Sequence, residues 1–383
     1  MSMPKEECVA RVATARALMR KEGVDALLVT DPASFYYFTG QKASGGGIGR
    51  PMVFILPLEG EPAVIDWSGP GLFARLYHRP YPTWVEDRRI YPEVPFNCDS
   101  RVDWGIRDVL LERGLAHAVV AVELGNEPRL GLAVHDLERL RADLPDAQWV
   151  DSSAVVWGCR MIKSDWEIDK LKRACEIGGK AFKRVLAELH VGIAQAQIQR
   201  KVMDYYFDLG ADLDSGPPLV LGATGPGGAF VKGDILYLDG GCSVNGYRMD
   251  FTRRAVFGPP SERQRAEHDG MWEITFKVIE RMKPGVSTAE IFEYSQSLVV
   301  KTPWRNYSDH PAKRIGHGIG LVTEPPYLNA FDQHVLQPGM SITPEPKLET
   351  LEGLLNAEEH VIVRDGGCEV ISSFHSWKLH VVA

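Results

Sequence analysis

The chain has 383 residues, of which 44% are hydrophobic and 25% charged, and its formal net charge is −8. This length exceeds what one hydrophobic core usually serves, so two domains are predicted. The negative charge disfavours a nucleic-acid partner, which would need a basic surface. No apolar run approaches the roughly 18 residues of a membrane span, so no membrane partner is predicted.

Residues 1–23 have the mixed charge of an amphipathic helix and lack the basic start and apolar stretch of a signal peptide. Six cysteines are scattered without a CxxC pair or other metal-ligand spacing. That pattern favours reduced thiols, and we expect a cytoplasmic protein.

The first 150 residues alternate strand and helix signals. Apolar runs at 26–30 and 118–125, and a pair of runs around a glycine-containing turn at 51–67, are typical of buried strands. A helical pattern follows around 129–142. We predict an α/β domain with a mixed sheet over residues 1–155.

A second domain, predicted over residues 156–383, begins with a long helix. Ser164 and Glu167 form an S-x-x-E capping box in front of it, and Ser287 and Glu290 repeat the pattern before a later helix. Strand-like runs lie between and after the helices, at 235–239, 247–256, 340–346, 354–364 and 368–373. We predict an α+β domain with helices outside an antiparallel sheet.

The segment GDILYLDGGCSVNGYRMDFTRRAVFG, residues 233–258, has the pattern of a β-hairpin. Its Asn245-Gly246 pair is a strong signal for a type I′ turn, which needs positive φ at both central positions. A two-residue loop at this pair predicts that Val244 faces Tyr247 in the ladder.

The same register brings two aspartates together. Asp239 then faces Thr252, and Asp239 and Asp250 become diagonal neighbours on one face, about 7–8 Å apart at the backbone. Asp239 ends the apolar run 235–238, so its surroundings are predicted to be buried. One carboxylate from each strand can then hold a shared cation, whereas the alternative is a solvated face with two exposed acids.

Three further residues have the chemistry of metal ligands. They are His317 in RIGHGIGLVTEPPYL, Glu345 in GMSITPEPKL and Glu358 in GLLNAEEHVIVRDG. Taken singly, each acid suits an edge strand. Together with the two aspartates they make four carboxylates and one imidazole, a set suited to a pair of divalent ions such as Mn²⁺, Fe²⁺, Co²⁺ or Zn²⁺.

These motifs, in this order, resemble the pita-bread metallopeptidases, a family that includes methionine aminopeptidase, prolidase, aminopeptidase P and creatinase. The resemblance rests on the Asp239…Asp250 hairpin, GHGIG at 316–320, PGMSITPEP at 338–346 and NAEEHVIV at 356–363. The N-terminal α/β domain resembles the one that precedes the catalytic domain in prolidases and creatinase. The resemblance implies a creatinase-like domain followed by a pita-bread catalytic domain.

The resemblance also implies roles for the five residues. Asp239 and Asp250 would hold one ion, and His317 and Glu345 the second, with Asp250 and Glu358 bridging both. The implied reaction is hydrolysis of a peptide or amide bond by a water between two divalent ions, with Glu345 as general base. A homodimer acting on a short peptide or another small molecule is implied as well.

The chain departs from the family where the substrate would bind. Segment 215–234 contains no histidine where peptidases of this family usually have one, and the position four residues before His317 is Lys313. Thr323 stands where a helper histidine aligns, with one residue fewer in between, and Asn356 stands where an arginine is common. Such groups bind the substrate carboxylate or stabilise the oxyanion, and losing one typically lowers the rate about 10²–10³-fold.

Lys313, Thr323 and Glu324 are therefore candidates for a changed substrate site. They offer an ammonium for an anionic substrate, a hydroxyl, and a base or cation partner, respectively. Each also has a plain structural interpretation, as a surface lysine beside Arg314 or as residues of a turn before Pro325.

The sequence thus predicts a dinuclear metal hydrolase that resembles Xaa-Pro dipeptidase or aminopeptidase P. The first alternative is a non-peptidase of the same fold, comparable to creatinase, ectoine hydrolase or the dimethylsulfoniopropionate lyases, acting on a small zwitterion. The second alternative is a non-catalytic binding module, against which the complete set of five ligands argues.

Overall fold

The computed structural model describes residues 3–42, 51–68, 83–92, 104–125, 129–303, 314–350, 353–374 and 376–383. The chain divides into two compact units, Met1–Arg160 and Met161–Ala383. The predicted boundary at 155/156 falls inside a helix of the first unit, Ser153–Arg160. Among the described residues, no helix is both long and apolar enough to cross a membrane.

The first unit contains a six-stranded mixed sheet. Its strands are β1 (Ala26–Val29), β2 (Val53–Pro57), β3 (Ala63–Ser68), β4 (Asp87–Pro92), β5 (Val119–Val122) and β6 (Gln148–Asp151). They lie in the order β4-β3-β2-β1-β5-β6. The pairs β1/β2 and β2/β3 are antiparallel and the other three are parallel, so the predicted mixed sheet is confirmed.

Helices connect these strands. They are α1 (Lys5–Glu22), α2 (Pro32–Thr39), α3 (Ile106–Glu112), α4 (Val134–Asp143) and α5 (Ser153–Arg160). Helix α2 is bounded by local signals, because Asp31 accepts a hydrogen bond from the Ser34 backbone and Pro32 occupies the first turn. Gly40 ends it in the left-handed conformation, with φ 70°.

Four helices of the second unit are described. They are α6 (Asp165–Leu186), α7 (Gln195–Asp208), α8 (Glu262–Arg281) and α9 (Thr288–Val299). Both predicted capping boxes form, with Ser164 accepting from the Glu167 backbone and Ser287 from the Glu290 backbone. These caps fix where α6 and α9 begin.

The strands of the second unit form two larger sheets and two hairpins. They are β7 (Leu219–Leu221), β8 (Ile235–Asp239), β9 (Ser243–Val244), β10 (Tyr247–Arg248), β11 (Thr252–Phe257), β12 (Gly316–Ile319), β13 (Thr323–Tyr327), β14 (Ser341–Pro344), β15 (Lys347–Thr350), β16 (Gly353–Asn356), β17 (Val361–Arg364), β18 (Gly367–Val370) and β19 (His380–Val382). The sheet orders are β19-β11-β8-β7 and β13-β12-β14-β17-β18, and the hairpins are β9/β10 and β15/β16. Pairing is antiparallel as predicted, except that β11 and β19 run parallel.

Two predicted strands are interrupted in the structure. The run 247–256 divides into β10 and β11, and the run 354–364 divides into β16 and β17. Asp250 lies in the first gap and Glu358 in the second. Side chains in such gaps leave the regular in-out alternation of a strand, so both acids are freed from the sheet's packing pattern.

A hydrophobic core holds the five-stranded sheet against α8. Ile342, Val361 and Val363 of the sheet and Trp272 of the helix belong to one buried cluster, each at most 1% exposed. Burial of this much apolar surface is the main stabilising term for the sheet. The sheet is thereby a firm base for the polar residues on its strands.

Candidate metal centre

The β9/β10 hairpin has the predicted turn and register. Asn245 and Gly246 both have positive φ, 52° and 81°. Val244 pairs with Tyr247, and Asp239 pairs with Thr252 in the same register, farther from the turn. The register that brings the two aspartates together is thus confirmed.

Replacing Asn245 with alanine is expected to destabilise the protein by about 1 kcal/mol, because alanine disfavours the left-handed conformation that asparagine tolerates. The free energy of unfolding in urea measures this. Asn245→Gly is the matched control and should stay close to wild type. Equal destabilisation by both substitutions would mean that a side-chain contact of Asn245, and not its backbone conformation, sets the cost.

Three of the predicted ligands form a tight group. Asp250, His317 and Glu358 each offer one ligand atom, and these atoms all lie within 4.8 Å of one another. His317 Nε2 lies 3.5 Å from Asp250 Oδ2 and 3.8 Å from Glu345 Oε1. The imidazole therefore stands between two of the carboxylates.

Asp239 lies beside this group at the end of β8, where it pairs with Thr252 of β11. After burial, the charge of Asp239 is the next cause of the raised pKa of Asp250. Tyr237 donates a hydrogen bond to Asp239 Oδ2 at 3.0 Å. The Glu358 backbone donates to Thr252 Oγ1 at 3.1 Å, which ties the gap between β16 and β17 to the start of β11.

The local backbone of β12 presents His317 to the acids in a defined protonation state. Its Nδ1 lies 3.0 Å from the Gly318 carbonyl, so Nδ1 carries the proton and Nε2 offers its lone pair. Burial lowers the pKa of His317, which favours the neutral imidazole that binds metals. A Cβ on Gly318 would lie 2.3 Å from the Pro325 carbonyl oxygen, so only glycine allows this close approach of β12 and β13.

The carboxylates of the group lie close enough together for bound cations to stabilise them. Burial, together with the charges of Asp239 and Glu345, raises the pKa of Asp250 well above its usual range. Burial and the charges of Asp250 and Asp239 do the same for Glu358. Buried like charges at this distance are costly unless a cation neutralises them.

Two buried oxygens point to the same requirement. Asp239 Oδ1 and Glu358 Oε2 receive no hydrogen bond from the part of the chain that the structure describes. A buried carboxylate oxygen without a donor costs free energy that a metal bond would recover. The donor set of four carboxylates and one imidazole therefore fits divalent ions.

Glu345 is surrounded by donors that the sequence did not reveal as part of the site. Arg314 Nη2 lies 3.3 Å from Glu345 Oε1, while Lys347 Nζ and Asn356 Nδ2 both bond to Oε2, the amide at 3.3 Å. Lys347 follows Glu345 by two residues, and residues spaced by two share a face of an extended chain. That spacing is the signal that could have identified Lys347.

The remaining candidates lie in different environments. Glu324 has a side chain that is 1% exposed and forms an ion pair with Lys163, whose side chain is buried equally. Thr323 begins β13 and is exposed, paired with Ile319 in the ladder. Lys313 lies outside the described residues.

Family models match both units. Residues 169–369 match the model of metallopeptidase family M24, and residues 11–162 match the creatinase/prolidase N-terminal domain. Together these two models span most of the chain.

Full-length relatives have two different activities in their names. The chain is 26% identical to an Xaa-Pro dipeptidase of Pyrococcus horikoshii over 364 residues, covering 91% of this chain and 93% of the relative. It is also 26% identical to an ectoine hydrolase of Halomonas elongata over 407 aligned positions, covering 98% of each.

Solved structures share the fold along the whole chain. A dipeptidase PepE of Mycobacterium ulcerans superimposes with a TM-score of 0.82 at 23% identity, covering 100% of both chains. A prolidase of Pyrococcus horikoshii superimposes with a TM-score of 0.76 at 21% identity, covering 97% of this chain and 99% of the other. The expected fold, a creatinase-like domain followed by a pita-bread catalytic domain, is confirmed.

Proposed function

The chain belongs to metallopeptidase family M24 and is a metal-dependent hydrolase, and we propose that it uses two divalent ions to cleave a short peptide of the Xaa-Pro type. The observation that carries this proposal is the group of Asp250, His317 and Glu358, two of them buried and Asp250 partly so, with ligand atoms within 4.8 Å. Asp239 and Glu345 extend it on either side. Full-length relatives with Xaa-Pro dipeptidase activity support the substrate class.

The five ligands divide between two ions in this proposal. Asp239 and Asp250 would hold the first, His317 and Glu345 would hold the second, and Asp250 and Glu358 would contribute to both. Ions bound here would lower the pKa of a bound water and polarise the scissile carbonyl. The ions are drawn from Mn²⁺, Co²⁺, Fe²⁺ and Zn²⁺, all of which accept carboxylate and imidazole ligands.

The chain's own residues supply the proton transfer. Glu345 is the proposed general base, since its carboxylate is 5% exposed and lies 3.8 Å from His317 Nε2, at the edge of the group. His317 stays neutral with its Nδ1 proton held by the Gly318 carbonyl. Tyr237 fixes the orientation of Asp239. Lys313, Thr323 and Glu324 remain candidates for contacts to the substrate.

The proposal is tested with metal-depleted protein that is reconstituted separately with each of the four ions. We expect hydrolysis of alanyl-proline that requires added metal, with alanyl-alanine as the matched control cleaved at least about tenfold more slowly. Metal analysis is expected to find two ions per chain. Absence of turnover on a panel of Xaa-Pro dipeptides with every ion would refute the peptidase assignment.

A second candidate activity is hydrolysis of a carbon–nitrogen bond of a small zwitterion. Thr323 and Asn356 stand where a histidine and an arginine are expected in peptidases, and one full-length relative is an ectoine hydrolase. Metal-dependent opening of ectoine, with kcat/KM above that for every dipeptide tested, would favour this candidate. A dipeptide preference would exclude it as the principal activity.

A homodimer and a cytoplasmic location complete the proposal. The homodimer follows from the family resemblance, and the cytoplasmic location follows from the reduced-thiol pattern of the cysteines. Light scattering coupled to size-exclusion chromatography tests the first, since a dimer has twice the 42.6 kDa of one chain.

A further inference from the structure

Two cations stand at the edge of the candidate metal centre, bonded to the proposed base. Arg314 Nη2 approaches Glu345 Oε1 at 3.3 Å, and Lys347 Nζ bonds to Glu345 Oε2. The Arg314 and Lys347 side chains are 39% and 26% exposed, whereas that of Glu345 is 6% exposed. The carboxylate therefore lies inside and the two cations lie between it and solvent.

Each cation keeps unused hydrogen-bonding capacity in this position. A guanidinium has five N–H donors and an ammonium has three. The ion pairs with Glu345 use few of these donors. The Arg314 guanidinium also lies 5.9 Å from the centre of the Tyr327 ring, which limits where it can point. The remaining donors can meet a second anion without leaving Glu345.

In the local charge balance, the positive charges of Arg314 and Lys347 are not cancelled by neighbouring acids once the metal ions are bound. Two divalent ions would cancel the four ligand carboxylates. The buried acids next to the ligands already have cationic partners: Glu324 with Lys163, and Glu359 with Arg253 at 3.1 Å. Arg314 and Lys347 then give the loaded site a net positive edge, which attracts anions.

Their positions are fixed by the strands that bear the ligands. Arg314 precedes His317 by three residues, and Lys347 is the first residue of β15, two residues after Glu345. Across the hairpin, Lys347 pairs directly with Asn356 of β16, the position where the family resemblance leads one to expect an arginine. Lys347 thus places a positive charge on the strand opposite that position, and Asn356 bonds to the same Glu345 oxygen.

We propose that Arg314 and Lys347 together bind the carboxylate of the substrate, so that the enzyme selects small substrates bearing a carboxylate near the scissile carbon–nitrogen bond. This inference rests on the proposed function. A fork of guanidinium and ammonium donors suits a carboxylate, and a charge-assisted bond to a partly buried cation is stronger than a neutral one. This carboxylate is either the C-terminus of a dipeptide or the carboxylate of a cyclic zwitterion such as ectoine.

The test compares acids with their amides. Wild-type protein loaded with metal should prefer alanyl-proline over alanyl-prolinamide, and Lys347→Met should raise KM for the acid about 10- to 100-fold more than KM for the amide. Lys347→Arg should keep the preference, because it keeps a cation. Lys277→Met, at a solvent-facing lysine of α8, is the matched control and should behave as wild type. Ectoine and its amide form the second arm and identify the source of the carboxylate.

A binding measurement separates failure of this inference from failure of the proposed function. Calorimetry with L-proline and with ectoine, each against its amide, requires no turnover. Weaker binding of the carboxylate by Lys347→Met and by Arg314→Met, with unchanged metal content, would support the inference even if no dipeptide is cleaved. Unchanged acid-over-amide preference in both variants, or no preference in the wild type, would overturn it.

Discussion

Replacing Asp250 with asparagine is expected to lower the rate of metal-dependent hydrolysis by about 10³-fold or more. Metal ions at such a site stabilise the charge of the transition state by several kcal/mol. Asp250 Oδ2 lies 3.5 Å from His317 Nε2, and the charge of Asp239 adds to burial in raising the pKa of Asp250. An amide has no negative charge and a weaker donor oxygen, so the proposed bridge between two ions would be lost. Metal analysis of the purified variant should find fewer ions per chain than in wild type.

The same substitution should act on stability with opposite signs in the two metal states. Without metal, Asp250→Asn removes one of several buried, mutually repelling carboxylates, so the variant should unfold at a higher temperature than metal-free wild type. With metal, wild type should gain stability by ligand binding and the variant should gain less. Asp269→Asn, at an exposed aspartate of α8, is the control and should change neither. Equal metal content and equal stabilisation of Asp250→Asn and wild type would remove Asp250 from the ligand set.

The features that the sequence predicted correctly depend on residues that are close together in the sequence. The capping boxes at Ser164 and Ser287 involve residues three apart, and the hairpin register follows from one dipeptide, Asn245-Gly246. Because a turn type fixes the ladder that leaves it, Asp239 could be placed opposite Thr252 by counting. Local chemistry was therefore sufficient to place Asp239, one acid of the candidate metal centre, in its register.

The strand interruptions were not predictable from hydrophobic pattern. Residues 247–256 and 354–364 contain enough apolar side chains to look continuous, yet the ladder stops around Asp250 and Glu358. A window of hydrophobicity records burial, and both acids are surrounded by buried neighbours. At the two breaks, carboxylate oxygens of Asp250 and Glu358 come within 4.8 Å of each other, a long-range contact that a hydrophobic pattern does not record.

Ion pairs between residues that are far apart in the sequence are harder still to predict. From its own surroundings Glu324 could be assigned a place in a turn, or a role as a base or cation partner, but its partner Lys163 is 161 residues away. Arg314 and Glu345 are 31 residues apart and meet through the β12/β14 pairing. No local pattern specifies such partners, since they depend on how separate elements pack.

The ion pair of Lys163 and Glu324 is expected to have the largest effect on stability. Both side chains are 1% exposed, and the Lys163 backbone also donates to the Gly339 carbonyl at 2.9 Å. Lys163→Met should lower the free energy of unfolding by about 3–5 kcal/mol, because it leaves the buried Glu324 carboxylate without this counter-charge. Urea denaturation of the metal-loaded protein measures the effect, and the exposed Lys277→Met provides the control for loss of a lysine.

A double substitution separates a structural role of Glu324 from a catalytic one. Lys163→Met combined with Glu324→Gln removes both charges, so it should recover most of the stability lost in Lys163→Met. If Glu324 acts only as the partner of Lys163, the double variant should cleave its substrate within about tenfold of wild type. If Glu324 takes a proton from the reacting groups, stability should return while kcat stays low. The buried pair leads us to expect the first outcome, in which Glu324 holds the turn after His317 in place and the chemistry belongs to Glu345.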